Sequence, residues 1–383
     1  MKEYTQDQMK SIYEARRARI AAYLTENGIG AAVYIDSEEH RDPAIPYLTG
    51  HNCDAIVIIF SDGFTYLIAW DEILAKKIAF CDKLVPYTRY KNKDIDAVRA
   101  ILNVGYTHGV NSKVELPPYL TYPQYLHFID ALKNYDCRCK EDGVHKFTVD
   151  CRVCKDEYEI ECTREAARIG DLIVDKIEEG IKDGSIKTET DVALFIEREC
   201  RAHGCERTGF DTLAAGPERS FAIHAFPGYT NAPWPAKGLS ILDFGVVYKG
   251  YTSDQTITVA KGRLTPEQKK QLTLVQKAYD ECLKLYVPDR AIQDAAKRAD
   301  LIFAAEKRKM PHTLGHGIGL EIHEYPRVST KTPSDVLFKS GMILTLEPGL
   351  YDETIGGTRL ENDILITETG HEVLTKSRII YIK

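Results

Sequence analysis

The sequence predicts two domains of mixed helix and sheet: a smaller α/β domain over residues 1–150 and an α+β domain over residues 151–383. Three observations lead there. A chain of 383 residues exceeds what one ordinary core organises. Short apolar runs alternate with amphipathic helical stretches up to about residue 148. Beyond Cys151 the pattern changes to long helical stretches followed by strand pairs that carry acidic side chains.

The elements follow in order. Residues 6–27 form an amphipathic helix, with Met9, Ile12, Tyr13, Ile20, Tyr23 and Leu24 at helical intervals and Arg16, Arg17 and Arg19 on a solvated face. Gly28 and Gly30 stop it. Residues 31–35 are a short buried strand, and 46–50 a turn. Residues 55–60 and 64–70 flank Ser61-Asp62-Gly63, a hairpin signal. No metal or nucleophile motif falls in this first part, so assembly and walling off a site elsewhere are its expected jobs. In the second part, Ile169, Ile173, Ile177 and Ile181 mark one face of a long helix that Gly184 ends, and 188–203 form a second. Residues 210–215 are strand-like. Residues 239–247 and 251–259 pair as a hairpin around Tyr248-Lys249-Gly250. Thr265-Pro266-Glu267-Gln268 is a capping box with proline at the first helical position, opening a helix to about Tyr286; another spans 291–307. Residues 342–347 and 359–367 are strands.

Composition narrows the function. A net charge of −7 argues against non-specific nucleic-acid binding. The longest apolar run, residues 55–60, is too short to span a bilayer. Met1-Lys2-Glu3-Tyr4-Thr5 lacks the apolar stretch of a signal peptide, so a cytoplasmic location is expected. Cys137, Cys139, Cys151 and Cys154 have a spacing compatible with zinc, but reduced thiols are the simpler reading without an oxidising compartment.

Five residues then stand out, each in its own short motif. They are Asp243 in Leu242-Asp243-Phe244-Gly245, Asp254 in Thr252-Ser253-Asp254, and His316 in the glycine-rich run Gly315-His316-Gly317-Ile318-Gly319. Glu347 lies in Leu346-Glu347-Pro348-Gly349, and Glu361 in Thr358-Arg359-Leu360-Glu361-Asn362. Four carboxylates and one imidazole suit Mn²⁺, Co²⁺ or Zn²⁺. Two such ions about 3.5–4 Å apart make the two-metal hydrolytic site of aminopeptidases. Because side chains alternate along a strand, Asp243 and Asp254 can project from neighbouring strands toward one point.

From about Arg152 onward the chain resembles the creatinase/aminopeptidase P/prolidase metallopeptidases of the pita-bread fold, and the first third resembles their amino-terminal domain more faintly. On the matching positions, the resemblance implies that Asp243 binds one ion and that Asp254 and Glu361 bridge both. His316 and Glu347 would complete the other. His323 would contact the substrate carbonyl and stabilise the oxyanion, and His224 would bind substrate. His224 follows Gly216-Pro217-Glu218-Arg219, which departs from the family's usual turn and leaves substrate identity open. Arg327 and Arg359 are the candidates for the free carboxylate of a dipeptide, with Arg359 equally able to hold a ligand carboxylate. His312, near the site, is read as structural or as a support behind the ligands. The resemblance also implies a homodimer.

The chemistry that the resemblance implies is hydrolysis of the bond before proline, a tertiary amide without an N–H that general peptidases cannot grip. A hydroxide bridging two ions, manganese by preference, is the nucleophile, and Glu347 carries its proton. Xaa-Pro dipeptidase leads. Aminopeptidase P, a metal-free amidinohydrolase, a relative acting on a non-peptide substrate (lyase or amidohydrolase), and a non-catalytic binding protein are the other readings.

Overall fold

A computed structural model describes residues 3–107 and 111–383. The chain divides into two compact units, Lys2–Arg152 and Val153–Lys383.

The first unit is built on a mixed six-stranded sheet. Its spatial order is Lys83–Pro86, Thr65–Ala69, Ala55–Phe60, Ala31–Asp36, Lys113–Glu115 and Asp136–Arg138. The strands Ala31–Asp36, Ala55–Phe60 and Thr65–Ala69 pair antiparallel, whereas the outer pairings are parallel. Val33, Ile56, Ile58 and Ile68 form its core with Val98, Ile101 and Phe128 from flanking helices. Helix Gln6–Glu26 starts at a reciprocal Thr5–Gln8 capping box.

Two expectations are corrected here. Arg16 and Arg17 are not a solvated face: each is only 4% exposed. Arg16 donates to the carbonyl of Tyr47, and Arg17 to those of Leu48 and Phe80. Their hydrocarbon stems lie along the core while their guanidinium groups satisfy backbone carbonyls. The stretch read as a turn at 46–50 is the end of a six-residue helix, Ala44–Thr49, closed by Gly50. All ten cysteines are free thiols.

The second unit holds the remaining sheets. Four strands run in the order Ile379–Ile382, Gln255–Lys261, Gly238–Phe244, Leu213–Ala215. Five run in the order Glu324–Val328, Gly315–Gly317, Ile343–Leu346, Asn362–Ile366, His371–Val373. Helix Glu157–Asp183 begins at an Asp156–Glu159 capping box and ends at Gly184, whose φ of +76° favours glycine. It packs with helix Glu189–Ala202 on the four-stranded sheet, joining Ile169, Ile173, Ile177 and Ile196 to Leu242, Phe244, Ile257 and Val259. Helices Pro266–Leu283 and Ile292–Ala305 cover the five-stranded sheet through Val275, Ala278, Ile302 and Phe303 against Leu344, Leu346, Ile364 and Ile366. A bridge between Thr256 and Glu361 joins the two sheets. This is the α+β, pita-bread arrangement.

The expected hairpin is real but interrupted. Gly245 separates Gly238–Phe244 from Val246–Tyr248, and Ser253-Asp254 separates Tyr251–Thr252 from Gln255–Lys261. Glu347 and Glu361 likewise stand just outside the strands that were expected to carry them. Among the described residues no helix is long and apolar enough to cross a membrane.

Candidate active site

The site forms where strands stop. Asp243 lies directly across the antiparallel ladder from Thr256, so their side chains share a face. Thr256 in turn bridges to Glu361, whose N–H donates to the Thr256 carbonyl. Thr256 Oγ1 donates to Glu361 Oε2 at 2.6 Å and accepts from Arg359 Nε at 2.9 Å. Asp254 sits in the break before this strand, and its N–H donates to Asp363 Oδ2 at 2.9 Å. His316 is the middle residue of Gly315–Gly317, held between two strands of the other sheet. Its flanking glycine is required by the close approach, since a Cβ at Gly315 would lie 2.0 Å from the carbonyl of Thr345.

These elements converge. Donor atoms of Asp254, His316 and Glu361 lie within 4.8 Å of one another. His316 Nε2 is 3.6 Å from Asp254 and 3.5 Å from Glu347. Its Nδ1 lies 3.0 Å from the Gly317 carbonyl. A carbonyl only accepts, so Nδ1 carries the proton and the Nε2 lone pair faces the carboxylates. All nine residues singled out in the sequence line one cavity of about 420 Å³: Asp243, Asp254, His316, Glu347 and Glu361, with His224, His323, Arg327 and Arg359. The rest of its wall includes the apolar Phe210, Leu213, Ile223 and Ile322.

The two arginines differ. Arg359 is buried and ion-pairs with Asp243 Oδ2. It also donates to Thr256, to the carbonyl of Ile223 at 3.2 Å, and to Tyr351 Oη at 2.8 Å. Its fork is thus spent on the protein. Arg327 is exposed at the cavity wall, and among the described residues its guanidinium has no ion-pair partner.

Electrostatics mark the same spot. Burial, then the charge of Glu361, pushes the Asp254 and Glu347 carboxyls well above the usual range. Burial and Asp243 push Glu361 up to about 8. Burial holds His316 down at about 3 and His312 at about 4, and lowers His323. Near neutral pH these imidazoles are therefore neutral.

Sequence reasoning missed Thr256, Tyr351 and the connection of His312. Tyr351 Oη accepts from Arg359 and lies 3.0 Å from His312 Nε2, while His312 Nδ1 is bonded to the Thr313 carbonyl. A hydrogen-bonded chain therefore runs from Asp243 through Arg359 and Tyr351 to His312. Nothing local to Tyr351 announces this, because its partners are eight and thirty-nine residues away.

Comparison with known proteins agrees with this geometry. The model of metallopeptidase family M24 matches residues 161–368. The chain belongs to that family. Among curated M24 relatives, it is 34% identical to the Xaa-Pro dipeptidase of Pyrococcus furiosus over 75% of this chain and 78% of that one. It is 29% identical to the Xaa-Pro dipeptidase of Pyrococcus horikoshii over 94% of this chain and 96% of that one. Among solved structures, the Xaa-Pro dipeptidase from Bacillus anthracis superposes with a TM-score of 0.83 at 26% identity, over 97% of this chain and all of its own.

Proposed function

We propose that this M24 peptidase is an Xaa-Pro dipeptidase. The observation that carries the reading is the guanidinium of Arg327, without an ion-pair partner among the described residues and facing a cavity that also holds a buried cluster of carboxylates around one neutral histidine. A dipeptide ends one residue past the bond to be cut, so its carboxylate needs a cation near the reacting carbonyl. Arg327 supplies a bidentate one, whereas Arg359 is occupied by Asp243 and Tyr351.

The residues fit a pair of divalent cations. Asp243 Oδ1 is buried without a hydrogen-bond partner among the described residues. The neighbouring carboxyls are pushed up by burial and then by one another's charge, a cost that cations remove. Asp243, Asp254, His316, Glu347 and Glu361 would hold the ions, manganese by preference, with Asp254 and Glu361 as bridges. When bound, such a pair supplies Lewis-acid polarisation of the carbonyl and a hydroxide at neutral pH.

The chain's own side chains do the rest. Glu347 is placed to take and return the proton that moves to the leaving nitrogen. Neutral His323, its ring 4.4 Å from that of His316, can donate an N–H to the developing oxyanion. His224 lines the same cavity and would bind the substrate there. Phe210, Ile223 and Ile322 exclude water and offer an apolar wall to a proline ring. Assembly as a homodimer rests on the resemblance of the whole chain to this family, and light scattering on the purified protein tests it.

The test is hydrolysis of an Xaa-Pro dipeptide and of a matching Xaa-Pro tripeptide after Mn²⁺ loading. The reading expects the dipeptide to be preferred. Preference for the tripeptide would favour aminopeptidase P, and cleavage of neither would point to a non-peptide substrate.

A further inference from the structure

Between Ala215 and Gly238 the chain leaves the four-stranded sheet and runs without regular helix or strand, and residues 216–230 of this stretch form a loop. Loops of this length with neighbouring ends form compact Ω-type structures held by their own contacts. This one presents His224 and the almost fully exposed Phe226 at the cavity. Something must fix its course, because an irregular loop has no ladder of its own.

The fixing group comes from below. Glu189 opens helix Glu189–Ala202, and its side chain is fully buried. One carboxylate oxygen accepts from the N–H of Gly216 at 2.8 Å. The other accepts from the N–H of Thr230 at 2.8 Å, from Thr230 Oγ1 at 2.6 Å, and from Arg219 Nη1. Arg219 then donates through Nη2 to the carbonyl of Pro227. A single carboxylate therefore ties both ends of the loop, and through Arg219 reaches the stretch just past His224. An acidic residue in a first helical turn ordinarily serves the helix dipole from the surface. That role requires neither complete burial nor four donors converging from a distant loop. The Glu218-Arg219 pair, which departs from the family's usual turn, contains the arginine that completes this clamp.

We infer that Glu189 is a positioning residue for the reaction, the interior anchor that sets where His224 meets the substrate. The inference rests on the reading of His224 given above. Glu189→Gln keeps the size of the side chain but turns an acceptor into a donor that faces other donors. In the Mn²⁺-loaded full chain it should speed amide hydrogen exchange across residues 216–230 by about tenfold or more, with exchange in helix Pro266–Leu283 unchanged. It should lower kcat/KM on an Xaa-Pro dipeptide by roughly tenfold or more, as His224→Ala does, and the double variant should lose no more than His224→Ala alone. Thr230→Val, which removes the hydroxyl's bond to Glu189 and the one it accepts from the Ala232 N–H, should move both readouts in the same direction by less, and it decides the matter should the glutamine variant not fold. Wild-type exchange in the loop of both variants would overturn the inference. So would a loosened loop with unchanged kcat/KM, a His224→Ala variant of full activity, or losses that multiply in the double variant. A wild type that leaves Xaa-Pro dipeptides uncut would remove the substrate reading alone, and loop exchange would still decide the anchor.

Discussion

Lys155 Nζ lies 2.9 Å from Glu324 Oε2, with the two side chains only 1% and 5% exposed. Lys155 precedes the long helix Glu157–Asp183, and Glu324 directly follows His323 and begins the strand that bears Arg327. The pair thus pins the segment presenting two cavity residues to the start of the unit. Two desolvated charges stabilise little in net terms, but removing one leaves the other uncompensated. Lys155→Met should therefore cost about 3–5 kcal/mol. A double Lys155→Met, Glu324→Leu variant should recover much of that. Denaturant unfolding of the three proteins checks it, and a loss below roughly 1 kcal/mol for the single variant would place the pair among weak surface bridges.

Metal stoichiometry distinguishes bridging from terminal carboxylates. Asp254→Asn and Glu361→Gln should each deplete both ions of Mn²⁺-loaded protein, whereas Asp243→Asn should empty mainly one. Elemental analysis per chain is the measurement. Equal loss of a single ion in all three variants would contradict the bridging assignment.

The arginines should part company. Arg327→Ala should keep its metals yet lose roughly ten- to a hundredfold of dipeptide activity, since a charge-assisted bidentate contact contributes about 1.5–3 kcal/mol. The loss should shrink on a dipeptide amidated at its carboxyl end. Arg359→Lys should instead lose metal, because the fork that holds Asp243 and Tyr351 is broken. Steady-state rates paired with metal analysis separate the two outcomes; an Arg327→Ala variant of full activity would move carboxylate recognition elsewhere.

Acid sensitivity of the first unit should depend on His145. Burial holds this imidazole at about 3 against an ordinary 6.5. Its neutral form is the folded form, so its contribution is intact above 6.5 and is lost as pH falls from there toward 3. The slope is at most about 1.4 kcal/mol per pH unit. Asp42, pushed up to about 6 by burial, acts in the opposite sense below that value. The informative quantity is therefore a difference: His145→Phe should gain on the wild type steadily as pH drops from 6.5 to 4. Thermal unfolding across that range would show it, and a constant offset would refute it.

Much of this was legible in one dimension. The capping box at Thr265 is a local hydrogen-bond pattern, and local patterns survive in a sequence. His316 was visible because close backbone approach demands glycine beside it. Arg16, Arg17 and Glu189 were not. Periodicity treats every charged residue as solvated, and only a carbonyl or a loop brought from far along the chain reveals a charge that is satisfied inside. Thr256 was hidden for another reason. The sequence placed Asp243 and Asp254 on neighbouring strands, but nothing in it showed that Thr256 stands opposite Asp243 in the same register that pairs Val247 with Thr252, or that it also bridges to Glu361.

That register has a genetic consequence. The strand Gln255–Lys261 meets Asp243 on one side and Glu361 on the other at the same residue, Thr256. A shift of one position would turn Thr256 to the opposite face and bring its neighbour under both acids. An insertion or deletion in the short connection at Lys249-Gly250 could thus dismantle the site while leaving every one of its side chains encoded. The length of that connection, no less than the side chains on either side of it, decides whether the acids meet at Thr256.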